Sequence, residues 1–506
     1  MTREAPSPRS AGILLHPTSL PGPYGIGDLG PAAYAWVDLL VHSQQKWWQI
    51  LPLGPTGFAD SPYQCFSAFA GNPFLVSPEF LIEDGLLDTR DVPGIQLPHQ
   101  LVDYGPVIHF KSFLNDQAWE HFQGARGNNL RAPFERFVTD EAGWLDDYAL
   151  FMALKDAHQG RSWQEWPDAA RMRQADFIKN ARKELAKSIG AHQFRQFIFF
   201  RQWQRLKDYA NERGVRVIGD IPIFVSADSA DVWANPHLFA LDRERRPKFV
   251  AGVPPDYFSA TGQLWGNPHY DWKAIEKTGF RWWLDRFKAT FKLVDMVRLD
   301  HFRGFEAYWE IPAGSPNAIK GRWVKAPGEA LLQTLKSTFG SLPIIAEDLG
   351  VITPEVDALR RQFELPGMRI LQFAFGDTGE NRFLPHNYEP NTVVYTGTHD
   401  NDTTWGWYRT TSEKERDHVR RYLARDGSDA AWDLIRAAWS SVAHYAIAPL
   451  QDVLNLGTEA RMNFPGKPQG NWTWRYETHQ LNPWVLDRLA EMTQLYGRGK
   501  IENGMM

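Results

Sequence analysis

The chain has 506 residues, with 55 Lys and Arg against 60 Asp and Glu and a net charge of -5. That mild acidity leaves no basic footprint for nucleic acid or an anionic membrane. The single cysteine, Cys65, excludes an intramolecular disulfide and a cysteine-based metal site. The first residues, Met1 to Ser10, are polar and proline-bearing with no apolar signal core, and no apolar run reaches the length of a membrane span. The reading is a cytoplasmic protein, long enough for two to four domains or for one barrel with insertions.

After a loose tail over 1–10, AGILLH (Ala11 to His16) has the composition of a short buried strand. A Pro/Gly loop follows to Gly30. Pro31 then opens an amphipathic helix with Ala33, Trp36, Val37, Leu40 and Val41 on one stripe. WWQILPL, Trp47 to Leu53, is a second buried strand, and strand–helix–strand at this spacing predicts parallel pairing. A first insertion, about 66–198, reads as mostly helical. A helix striped by Phe199, Trp203, Leu206 and Ala210 stops near Gly214 and leads into VRVIGDI, Val215 to Ile221. A second insertion, about 224–279, contains AGVPPDYFSATGQLWGNP, which has no regular period and reads as a mobile loop able to cover a site. A helix over 280–292 precedes the strand that ends in Arg298-Leu299-Asp300. Further strands start near 342, 368 and 393, and AIAPLQDVL, Ala446 to Leu454, supplies an eighth. The tail from 497 reads as loose.

Eight strands separated by helices and insertions predict an α/β fold, a (β/α)₈ TIM barrel with large, mostly helical insertions after strands 2 and 3. Its single catalytic body spans about 11–496. In such a barrel all strand C-termini face one side, so Asp220, Asp300, Glu347 and Asp400 converge on one pocket. Strand alternation points Arg298 and Asp300 the same way, and a cation beside a carboxylate favours its charged form. The plainer use of that pair is a structural ion pair at a strand end. Converging acids serve either a hard cation such as Mg²⁺ or cleavage of a glycosidic bond. Arg298 and His399 among the acids disfavour a dication, flanking aromatics suit sugar rings, and no Gly-rich phosphate cradle follows a strand. His399 beside Asp400 remains compatible with a metal on spacing alone.

The motifs LLHPTSLPGPYGIGDLG, LPLGPTGFADSPYQCFSAFAGNP, GDIPIFV, GVPPDYFSATGQLWGNP, VRLDHFRGFEAYWEIPAG, IIAEDLGVITPEV, YTGTHDNDTT and ARMNFPGKPQGNW occur in this order over about 11–490. In them the chain closely resembles the 4-α-glucanotransferases (amylomaltases) of glycoside hydrolase family 77. The resemblance implies a barrel without a C-terminal β-sandwich domain, no cofactor and no metal. It implies transfer of an α-1,4-glucan segment from a maltooligosaccharide, starch or glycogen-derived donor to glucose or another glucan, in a monomer or homodimer. Asp300 looks like the nucleophile, Glu347 like the general acid and base, and Asp400 like a third acid gripping the ring hydroxyls. By the same likeness Arg298, His399 and Asp220 bind the same sugar, while Ser61, Tyr63, Asp256, Tyr257, Gln263, Trp265 and Phe373 line the glucan path. Phe58 departs from the tyrosine of some relatives at a secondary glucan contact. Two rival readings are an α-1,4-glucan hydrolase using the same acids and a non-catalytic glucan-binding protein.

Overall fold

The computed structural model describes residues 9–124, 126–255 and 259–499. Its centre is a closed parallel barrel. In chain order the strands are β1 (Ser10–Leu14), β2 (Trp47–Gln49), β3 (Arg216–Pro222), β4 (Phe249–Val253), β5 (Gln263–Pro268), β6 (Met296–Asp300), β7 (Ala307–Pro312), β8 (Arg322–Lys325), β9 (Ile344–Ala346), β10 (Gly367–Ile370), β11 (Thr392–Tyr395) and β12 (Tyr445–Pro449). The barrel runs β1-β12-β11-β10-β9-β6-β3-β2. These eight strands are the eight read from sequence. The last is shorter than AIAPLQDVL suggested, because Leu450–Val453 turns into helix directly after Pro449.

Each barrel strand is short and almost wholly buried, as expected where helices cover a parallel sheet. The helix Pro31–His42 lays Ala33, Trp36, Val37 and Leu40 against the barrel, and Ala186–Glu212 runs back into β3. Trp48 in β2 joins the two, with its ring 6.5 Å from Trp36 and 6.2 Å from Trp203, and its indole N–H donates to the Leu15 carbonyl at 2.7 Å. Thr353 sits at the N-cap of helix Pro354–Gln362, but its side chain makes no capping bond, so Pro354 marks that helix start through its fixed φ alone.

The segment between β2 and β3 is helical, with the helices Tyr104–Gln123, Asn128–Asp140, Ala142–Ala157 and Ala175–Glu184. The segment between β3 and β6 departs from an aperiodic loop. Phe249–Val253 and Gln263–Pro268 are β4 and β5, paired antiparallel, and β4 also pairs with β7 from the far side of β6. The result is a four-stranded sheet, β5-β4-β7-β8, beside the barrel mouth. Its strands hide from a pattern search because glycines at 252 and 266 and a proline at 268 interrupt the alternation. Within the expected lid, residues 256–258 lie outside the described residues.

At the C-terminal end the folded body reaches beyond the boundary expected at 497. Arg498 is fully buried and donates to the carbonyls of Ser10, Trp439 and Ser441. One arginine thus ties the segment after helix Pro483–Leu495 to β1 and to the turn before β12. Among the described residues no helix is long and apolar enough to cross a membrane.

Trp48→Ala removes a fully buried indole from between two helices and leaves the Leu15 carbonyl without its donor. We expect a loss of about 3–5 kcal/mol in chemical denaturation; a loss under about 1 kcal/mol would contradict the packing described.

Candidate active site

Register places the acids. In the β3–β6 pair Asp220 lies opposite Arg298 and Pro222 opposite Asp300, and in the β6–β9 pair Leu299 lies opposite Ala346. Asp300 and Glu347 are each one residue further on, at neighbouring strand ends on the same barrel mouth. The interior layer below them is polar. Tyr395 in β11 donates across the barrel to Gln49 in β2 at 2.9 Å.

Arg298 is the hub. Its Nη2 donates to Asp300 Oδ1 at 2.7 Å and its Nε to Asp220 Oδ2 at 2.8 Å. The same Nη2 lies 3.2 Å from the Tyr63 hydroxyl, which itself donates to Asp220 Oδ2 at 2.9 Å. The Arg298 side chain is 4% exposed, so its charge is held by these carboxylates rather than by water. Burial pushes the Asp220 carboxyl up to about 7, with Arg298 pulling against it. Its second oxygen, Oδ1, is buried without a hydrogen-bond partner among the described residues. Asp300 is more open, with 29% of its side chain exposed at the mouth.

Glu347 has the opposite surroundings. Burial, and then the nearby Asp300 charge, raise its carboxyl well above the ordinary carboxylate range. Two backbone amides hold it, His301 N–H at 2.7 Å to Oε2 and Leu349 N–H at 2.9 Å to Oε1. The first requires His301 to take the left-handed region, φ 52°, a conformation that costs a side-chain-bearing residue of order 1 kcal/mol. The neighbouring Asp348 anchors the strand end, accepting from Met368 N–H, Arg369 and Arg382.

The far wall comes from the end of β11 and the chain after β12. The His399 ring stacks on Tyr63 with centroids 5.2 Å apart, and Trp472 packs against both rings. Burial lowers the His399 pKa, so the imidazole is neutral at neutral pH. Its Nε2 lies 3.4 Å from Asp400 Oδ2. Asn463 donates to Asp400 Oδ1 at 2.6 Å, and Arg461 donates to the Asp400 carbonyl at 2.6 Å.

The fold therefore gathers Tyr63, Asp220, Arg298, Asp300, Glu347, His399 and Asp400 into one site. Ser61 flanks it, its hydroxyl accepting the Tyr63 N–H at 3.2 Å. Trp265 and Gln263 come from β5. The Trp265 ring stands edge-on to His301 at 4.9 Å and its N–H donates to Gln263. Phe373 lies just after β10 and packs edge-on against Phe383, 5.6 Å away. Asp256 and Tyr257 lie outside the described residues. Phe58 is 74% exposed beside Ala59 and Asp60, both at positive φ.

Asn463, Arg461, Trp472 and the His301 and Leu349 amides escaped a residue-by-residue reading. The first three stand in the ARMNFPGKPQGNW motif, whose position after the last barrel strand was the available signal. Among the described residues no three His, Cys, Asp or Glu side chains are placed to share a metal ion. Arg298 occupies the space between Asp220 and Asp300 where a cation would sit.

Comparison with known proteins agrees with this geometry. The family model described as 4-alpha-glucanotransferase, of glycoside hydrolase family 77, matches residues 15–481. The chain is 53% identical to the 4-alpha-glucanotransferase of Thermus thermophilus, covering 96% of this chain and 98% of that protein. It is 46% identical to the chloroplastic/amyloplastic 4-alpha-glucanotransferase of Solanum tuberosum, covering 92% and 82%. Among solved structures, the amylomaltase from Streptococcus agalactiae in complex with acarbose superposes with a TM-score of 0.95 at 39% identity, covering 97% of this chain and all of that one. The amylomaltase from Corynebacterium glutamicum, at 18% identity and a TM-score of 0.75 over 97% and 74% of the two chains, shares the fold. A barrel with two unlike carboxyl groups at adjacent strand ends, matched along almost its whole length, makes this chain an enzyme of the 4-α-glucanotransferase family, glycoside hydrolase family 77.

Proposed function

We propose that the enzyme moves α-1,4-glucan segments between maltooligosaccharides by a retaining double displacement, with Asp300 as nucleophile and Glu347 as acid and then base. The observation that carries this reading is the unlike treatment of the two acids. Asp300 is partly open and takes a guanidinium hydrogen bond, whereas Glu347 is buried and its pKa is raised. Retaining glycosidases need such a pair, one charged and one protonated, about 5–5.5 Å apart.

In the first step an Asp300 oxygen attacks C1 of the donor sugar and the C1–O4 bond breaks. The electron pair leaves with O4, which takes the Glu347 proton, and the released chain departs. In the second step Glu347 takes the proton from the 4-hydroxyl of an acceptor sugar. That oxygen attacks C1, the bond to Asp300 breaks, and both carboxyl groups return to their starting states. Glucose, maltooligosaccharides and starch or glycogen-derived glucans fit as partners.

Asp400 and His399 hold the ring hydroxyls of the reacting sugar from the far wall. Asp220 is buried beneath that sugar and acts on it through the groups it holds, the Arg298 guanidinium and the Tyr63 hydroxyl. Tyr63 gives that sugar an aromatic wall backed by Trp472. Ser61, Gln263 and Phe373 extend the path, and by the family likeness Asp256 and Tyr257, which lie outside the described residues, belong to it as well. The β4–β5 hairpin keeps water from the glucosyl-enzyme while an acceptor binds, Trp265 meeting His301 next to Asp300.

Incubation with pure maltotriose tests the reading. We expect glucose and a ladder of longer maltooligosaccharides with constant total reducing ends; glucose and maltose with rising reducing ends would instead mark a hydrolase. The Trp265→Ala enzyme should show a lower ratio of transfer to hydrolysis, and an unchanged ratio would sink the water-excluding role of the hairpin. The raised pKa of Glu347 carries a sign. Its proton is present below that pKa and lost as pH rises through it, so kcat/KM should fall on the alkaline side. Glu347→Gln should lower activity by at least about 10³-fold on unactivated donors and abolish that alkaline limb, since it removes the titrating group.

A further inference from the structure

We infer that Asn463 is the positioning residue of Asp400, and that the loop after the last barrel strand sets the third carboxylate for the reaction. The inference rests on the role proposed above for Asp400. The Asp400 side chain is 46% exposed, so packing does not hold it. Among the described residues its carboxylate accepts one hydrogen bond, from Asn463 Nδ2 to Oδ1 at 2.6 Å. His399 Nε2, 3.4 Å from the other oxygen, belongs to a buried ring that Tyr63 already orients. A side chain with two rotatable bonds and one short anchor takes its direction from that anchor.

The anchor itself is rigid. The Asn463 N–H donates to the His399 carbonyl at 3.0 Å, and Arg461 bridges the two residues, with Nε on the Asn463 carbonyl at 2.7 Å and Nη2 on the Asp400 carbonyl. Arg461 also covers the Phe464 ring, 4.5 Å away. The loop closes on itself through Phe464 N–H to Asn471 Oδ1 and Trp472 N–H to the Met462 carbonyl. Trp472 then returns its ring to Tyr63 and His399. Asn463 thus sits in a frame fixed independently of the carboxylate it orients.

A neutral amide is the fitting donor. It offers a hydrogen bond without bringing a charge that would compete with the sugar for Asp400. An ammonium or guanidinium there would pair with Asp400 and draw it away.

The test uses the full chain and maltotriose, with steady-state kinetics on Asn463→Ala, Asn463→Asp, Asp400→Asn and the double variant Asp400→Asn with Asn463→Ala. Asn463→Ala should lower kcat about tenfold or more with KM changed by less than about threefold. In the Asp400→Asn background the same change should cost less than about twofold, because a residue acting through Asp400 has nothing left to position. Asn463→Asp keeps the shape, so it also covers the case in which Asn463→Ala does not fold. It exchanges the amide donor for a group of the same kind as Asp400, which cannot anchor it, so kcat should again fall at least about tenfold with KM changed by less than about threefold.

Three results would each overturn the inference: Asn463→Ala within twofold of the unmodified enzyme, equal losses from Asn463→Ala with and without Asp400, or an Asn463→Asp enzyme that keeps full kcat. If Asp400→Asn alone kept full activity, the proposed role of Asp400 would fall first and the inference with it.

Discussion

The site depends on one desolvated cation. Arg298 lies inside the barrel mouth and spends its guanidinium on Asp220, Asp300 and the Tyr63 hydroxyl. A buried charge of this kind is costly unless it is paired and hydrogen-bonded on several sides. Because three partners come from β3, β6 and the loop after β2, satisfying Arg298 also fixes how those elements meet. Lysine could not do this, since only a planar fork reaches two carboxylates in one geometry. The direction of Asp300 and the barrel's upper packing are therefore one problem with one solution.

Against that hub, the carboxyl groups of Asp300 and Glu347 are separated by environment. Asp300 faces the opening and a cation; Glu347 faces apolar strand ends and two amides. The His301 amide reaches Glu347 only because His301 takes a left-handed backbone conformation immediately after Asp300. Strain at that residue links the end of β6 to Glu347, so neither can shift without the other. The His301 ring also meets Trp265 from β5, which brings the small sheet into the same linkage.

That sheet shows how insertions become part of a site. Its strands come from two segments, one before β6 and one after it, and antiparallel pairing of β4 with β7 joins them. The hairpin that bears Gln263 and Trp265 is therefore not a free flap on a tether. It is an edge of a sheet whose other strands, β7 and β8, follow β6 in the chain. The loop after β12 closes the opposite wall, with Trp472, Asn463 and Arg461 reaching His399, Tyr63 and Asp400.

Much of this was legible in the amino-acid sequence. Eight apolar runs spaced by helices determine a barrel, because parallel strands must be buried on both faces and their crossovers take one hand. Acids at the ends of those runs determine a pocket, because every strand end faces the same side. The residues Arg298, Asp300, Glu347 and Asp400 follow from that reasoning alone. Tertiary structure decided what periodicity could not carry: the pairing of β4 with β7 across β6, the end of β12 at Pro449, the burial of Arg498 against β1, and the hold of Asn463 on Asp400. Each of these is a contact between residues far apart in the chain or a local break in pattern. A sequence encodes such contacts only through the shape they complete, and that shape exists once the barrel has closed.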